Sequence, residues 1–338
     1  MRQTCLHMAG VVAVFVVAGL IAPTPAAGQT EAGPTVPRTS WGAPDLQGVW
    51  SGATVTPLER PVDTKEFLTE AEVLQIERDA VERATDEARG DTQAQDVRGA
   101  YNDFWWDRGT RVAANRRTSL IMDPPDGRIP TFTPEMAKYA ESDEARIRQE
   151  TRRGSYPAAS YTDTDLWDRC LTRSLPIVPG PYNNNYQIFQ TATHVVILHE
   201  MIHDARIIPL DTRPHVSPNI ALWAGDARGR WEGDTLVVES TNFSSKQEYP
   251  FGSRTSSGGM RLIEKFSRLD EGTLMYEFTV ADPTTYSRPF TAEFPMYTGE
   301  GKLYEYACHE GNYGIVGILA GSRQTERAAA ATDDTGSR

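Results

Sequence analysis

Five of the six histidines fall between residues 194 and 309, and carboxylates, an arginine and amides gather around them. Within this stretch His199-Glu200-Met201-Ile202-His203 matches the H-E-x-x-H pattern. On a helix, His199 and His203 would aim two imidazoles at one zinc ion, with the glutamate polarising a bound water. The flanks, Val195-Val196-Ile197 and Ile207-Ile208-Pro209, are β-branched and suit strands instead. On a strand the two rings lie ~13 Å apart at ~3.3 Å per residue. A tight turn at Met201–Asp204 would shorten that span without giving helical geometry. A zinc hydrolase is therefore kept as an alternative, and otherwise no cofactor is expected.

Without a metal, the same residues suit proton transfer. Glu200, His203, Asp204 and Arg206 cluster at one expected hairpin, and His309-Glu310 follows Cys308 directly. A histidine held beside a fixed cysteine is suited to general acid or base work, the chemistry for which imidazole is most often used. The readings left open are a histidine satisfied by backbone at a barrel rim and a surface salt-bridge set at the hairpin. Around them, Tyr182-Asn183-Asn184-Asn185, Tyr306 and Glu310 are candidates for binding substrate. The three asparagines are equally good turn formers. Trp105, in the aromatic run Phe104-Trp105-Trp106, either packs onto the core or offers a ring for stacking. There is no G-x-S-x-G elbow, P-loop or G-x-G-x-x-G.

These residues must be carried by strands. From residue 182 onward, short apolar runs alternate with turn signals. The runs are Tyr186–Thr191, His194–Glu200, Ala205–Leu210, Thr235–Thr241, Met260–Leu269, Thr273–Val280, Phe290–Tyr297 and Leu303–Cys308, with Arg228–Trp231 as a possible ninth. In Leu274–Val280 a period of two puts Leu274, Tyr276, Phe278 and Val280 on one face. The fold expected is mainly β: an antiparallel barrel or strongly curved meander over residues 182–320, with an α-helical and extended N-terminal segment packed around it. Thr69-Glu70-Ala71-Glu72 is a capping box opening a helix over 70–89, and Pro134 opens a second over 134–152. Thr118–Met122 reads as a further strand.

Residues 1–28 carry Arg2, an apolar run from Ala9 to Ala22 and the small residues Ala26-Ala27-Gly28, the pattern of a secretory signal peptide. Two cysteines then remain, Cys170 and Cys308, and an oxidising compartment should join them. A periplasmic or secreted location is expected, with no membrane span in the mature chain. The organisation read along the chain is a signal peptide (1–28), a flexible lead (29–45), a wrapping segment (46–165), a β-barrel domain (166–322) and a disordered tail (323–338). A net charge of −12 argues against nucleic acid and anionic membranes as partners. A small-molecule or carbohydrate ligand fits better, and the oligomeric state is left open.

Four stretches are similar to a widespread family of secreted bacterial proteins of unassigned function. They are Thr118–Pro130, Tyr182–Ile188 (YNNNYQI), Trp231–Val238 (WEGDTLVV) and Tyr304–Gly314 (YEYACHEGNYG), with Pro44–Trp50 resembling the start of the mature region. The resemblance implies no reaction. Gly48-x-Trp50 also resembles, faintly, the entry motif of lipocalin barrels.

The functional expectation is a secreted barrel enzyme of lyase or hydrolase type, acting on a small polar organic or carbohydrate substrate. His309, Glu200, His203 and Arg206 would carry the chemistry. The alternatives are a non-catalytic, lipocalin-like binder of small ligands and the zinc hydrolase.

Overall fold

The computed structural model describes residues 36–84, 107, 109–152, 154–247, 258–299 and 301–336. The signal-peptide reading and Trp105 lie outside these residues. Thr35–Arg338 form one compact unit. Among the described residues ten antiparallel strands make a nearly closed barrel. They are β1 (Gly48–Ser51), β2 (Ile121–Asp123), β3 (Asn185–Gln190), β4 (His194–His199), β5 (Ala205–Pro209), β6 (Asp226–Glu232), β7 (Thr235–Thr241), β8 (Arg261–Arg268), β9 (Thr273–Ala281) and β10 (Phe290–Thr298). The order around the wall is β5-β4-β3-β1-β10-β9-β8-β7-β6, with β2 paired to β10. The expected barrel is therefore present, and β1 sits inside its wall, Trp50 facing Tyr186 on one side and Thr298 on the other.

The period of two decides what fills the barrel. Leu236, Val238 and Ser240 of β7, Leu262, Glu264 and Phe266 of β8, and Leu274, Tyr276, Phe278 and Val280 of β9 all point inward and are buried. Phe290, Ala292, Phe294 and Met296 of β10 complete the set. The Tyr276 ring packs against Phe266, Phe278 and Phe294 at centroid separations of 5.0, 5.8 and 5.4 Å. The interior is a packed core, and each such aromatic contributes roughly 1.5–3 kcal/mol by its burial. Trp50 joins the core, its Nε1 donating to the Leu46 carbonyl at 2.9 Å, with the Arg268 guanidinium over its ring.

The wall closes without a ladder between β5 and β6, the two ends of the strand order. They lie close because Gly229 has no side chain. A Cβ there would stand 2.7 Å from Leu210 Cδ2 and 3.0 Å from Ile208 Cγ2.

Four helices accompany the barrel among the described residues. α1 (Glu70–Arg83) starts on the expected capping box, Thr69 Oγ1 accepting from Glu72 N while the Glu72 carboxylate accepts from Thr69 N. Residues 134–152 form two helices where one was expected, α2 (Pro134–Ala140) and α3 (Asp143–Arg152). Ser142 causes the break, its hydroxyl capping the new start by accepting from Ala145 N. α4 (Tyr313–Gly336) runs through the end of the chain that the sequence reading treats as a tail. Ser322 and Arg323 on α4 hold the backbone of Ala158 and Ala159. No helix among the described residues is long and apolar enough to cross a membrane.

Leu303–Cys308, expected as a strand, forms no ladder. Within the main strand order only β5 and β6 have a free edge, so the end of β10 offers no place for another strand. The segment instead becomes a strap held by its cysteine.

Candidate functional site

Residues 166–184 have neither helical nor strand periodicity, and they fold as a plug against the barrel. Leu175 and Ile177 join the core. The Ile177 N–H donates to the Tyr276 hydroxyl at 3.2 Å, and that hydroxyl donates to Glu264 Oε1 at 2.8 Å. Cys170 leaves the plug to bond Cys308, with Cα atoms 5.6 Å apart, so the expected disulfide is formed. Asn312 adds a second tie, its Nδ2 donating to the Asp168 carbonyl at 2.8 Å.

The three asparagines divide their work. Asn183 has φ 55° and turns the chain. Asn184 is buried; its Oδ1 accepts from Gly180 N at 2.7 Å, and its Nδ2 donates to the carbonyls of Gly180 and Asp107. Asn185 donates its backbone and side-chain N–H to Glu200 Oε2 at 3.1 and 2.9 Å. Glu200 is thereby engaged in closing the β3–β4 end.

β4 stops at His199, and Met201–His203 form a single tight turn before β5. The H-E-x-x-H segment is thus strand followed by turn, and its two histidines separate. His199 continues the inward alternation after Val195 and Ile197, its ring stacked on Tyr186 at 4.5 Å. His203, half-buried, lines a different cavity from His199. Ile202 and His203 both have left-handed backbone, φ 66° and 57°, which is strained for a β-branched residue. Among the described residues no group of three or more His, Cys, Asp or Glu is placed to share a metal ion.

Among the described residues three cavities border this turn. An inner void of about 20 Å³, room for roughly one water, lies between the plug and Tyr186, His199, Asp204 and Arg206. A pocket of about 180 Å³ opens on the other side of His199, walled by Trp167, Arg173, Tyr182, Asn183 and Tyr186. A cleft of about 400 Å³ lies under the strap and is lined by His203, Asp204, Tyr306, His309 and Glu310 beside the disulfide.

Arg206 is directed elsewhere. Its Nη1 and Nη2 donate to Glu264 at 3.0 and 2.6 Å, and Nη2 also reaches Ser240 Oγ at 3.3 Å. Burial alone would push its pKa down, but the Glu264 carboxylate outweighs this and holds the guanidinium above its ordinary value. Burial also raises Tyr276 well above an ordinary phenol, and Glu264 adds to the effect. His199 is pushed down to about 3, first by burial and then by the Arg173 and Arg206 cations on either side. It keeps some accessible surface because it lines a cavity, yet it is densely surrounded and stays neutral at pH 7.

Of the sequence candidates, the structure brings His203, Tyr306, His309 and Glu310 to one cleft. Tyr182, Asn183 and Asn184 line the pocket of about 180 Å³. Glu200 lines none of the three cavities, and Arg206 is held in the interior. Sequence reasoning missed Arg173, Trp167 and Tyr186, which wall the pocket, and Glu264, which neutralises Arg206. Glu264 did leave a signal, as an acid at the inward position between Leu262 and Phe266. No protein-family model, curated protein or solved structure matches the chain.

Proposed function

We propose that the protein is a secreted or periplasmic enzyme of lyase or hydrolase type whose acid/base pair is His309 and His203. The observation that carries this reading is that both histidines line one cleft, of about 400 Å³, together with Asp204, Tyr306 and Glu310. His203 Nδ1 is buried without a hydrogen-bond partner among the described residues, on a strained turn. Such strain persists only where the surroundings enforce it, and it gathers at functional sites. His309 is exposed and able to exchange protons with solvent, while the neighbouring disulfide limits its movement. The cleft has room for a small polar organic molecule or a sugar ring, and its hydroxyl, carboxylate and imidazole groups suit one. The disulfide also supports an oxidising compartment.

A lipocalin-like carrier would need a hollow barrel, and here the interior is filled by Phe266, Tyr276, Phe278, Phe290 and Phe294. Any ligand is therefore better placed outside the plug.

The test is a turnover screen over glycans, esters and hydroxy acids, followed by His309→Ala and His203→Gln. Loss of turnover on the order of 10²–10⁴-fold with an unchanged melting temperature is expected. A fully active His309→Ala, or a wild type inert across the screen, would overturn the reading.

A further inference from the structure

The geometry points to a second ligand site, the pocket of about 180 Å³ between the plug and β3–β4, built to bind the carboxylate of a small aromatic acid through Arg173. Arg173 leaves the plug with its guanidinium carbon 4.4 Å from the centre of the Trp167 ring. A guanidinium stacked on an indole keeps its in-plane N–H donors available, and two of them match the two oxygens of a carboxylate. Among the described residues Arg173 has no carboxylate partner. The neighbouring cations are already matched: Arg152 with Asp165, and Arg206 with Glu264. Arg173 is thus a half-buried cation without an ion pair among the described residues, in a chain whose net charge is −12.

The rest of the pocket says what accompanies the negative group. The Trp167 and Tyr182 rings lie 6.2 Å apart, tilted by 48°, on one side, and Tyr186 stacks on His199 on the other. Such walls accept a flat ring. Pockets for drug-sized ligands measure roughly 300–1,000 Å³, so a cavity of about 180 Å³ suits a single ring with one acidic substituent. The site does not depend on the catalytic reading of the cleft, and either can fail alone.

The experiment titrates the purified protein with benzoate, following heat and tryptophan emission. Its neutral analogue benzamide and inorganic phosphate are run in parallel. Saturable benzoate binding at least ten-fold tighter than that of benzamide and of phosphate is expected. Arg173→Met should weaken benzoate binding at least ten-fold, and Arg173→Lys should fall between. Benzamide binding as tightly as benzoate, or an Arg173→Met protein that folds and binds benzoate like wild type, would overturn the proposal. Phosphate binding as tightly as benzoate would overturn the aromatic class. The wild-type comparison of benzoate with benzamide decides the matter even if Arg173→Met does not fold.

Discussion

Arg206 on β5 reaches across the unladdered seam of the barrel to Glu264 on β8, with contacts of 3.0 and 2.6 Å between two buried side chains. β5 and β6 share no backbone ladder there, so this pair, with Ser240 on β7, is a polar tie between the two ends of the wall.

Removing one partner should therefore cost more than the pair itself is worth. Glu264→Leu leaves Arg206 buried and uncompensated, and also takes the acceptor from Tyr276. A loss of about 3–5 kcal/mol is expected in urea denaturation. The double variant Glu264→Leu with Arg206→Met should recover most of it, since a well-packed apolar pair avoids the desolvation of both charges.

The same seam makes Gly229 sensitive. Gly229→Ala puts a methyl group against Leu210 and Ile208, which must turn aside. A loss of about 1–3 kcal/mol is expected, with urea midpoints as the measure. Gly233→Ala, at the β6–β7 turn with φ 61° but open space around it, is the contrasting case and tests backbone strain without crowding.

His199 makes stability depend on pH in a defined window. The unfolded imidazole titrates near 6.5 and the native one near 3. Between those values the unfolded chain holds a proton that the native state does not. Stability therefore falls as pH drops below about 6.5 and keeps falling toward 3, and above 6.5 the penalty vanishes. From pH 7 to pH 5 wild type should lose about 2 kcal/mol more than His199→Gln, at roughly 1.4 kcal/mol per unit of pH below the unfolded value. Equal losses in the two proteins would show that His199 is not held neutral.

Cys170 and Cys308 are 138 residues apart, so their bond closes a long loop. Cys170→Ser with Cys308→Ser should cost about 2–5 kcal/mol. The strap should then be the first segment cut by protease, because it has no ladder of its own. Its release would also disperse the cleft, giving a loss of any turnover larger than the change in stability explains.

The strands were legible wherever side chains alternated. Thr235–Thr241 is reproduced to the residue, and the inward face of β9 was readable from Leu274, Tyr276, Phe278 and Val280. Local signals also marked the start of α1 through Thr69 and Glu72. The plug was not legible, because its order comes from contacts far along the chain: Ile177 with Tyr276, and Cys170 with Cys308. Arg206 looked like a free cation because its partner lies on β8, 58 positions away. The strap looked like a strand because alternation alone does not reveal whether a sheet has an edge to offer it.

The position of β1 carries a consequence for how the chain comes to be ordered. Trp50 is paired with Tyr186 and with Thr298, so the earliest strand waits for partners made far later. A chain delivered from its amino end holds β1 without its first neighbour until β3 has emerged, and without its second until almost all of β10 has. Assembly dominated by such distant pairings is slow. The wall around Trp50 is therefore completed only when the last strand is in hand.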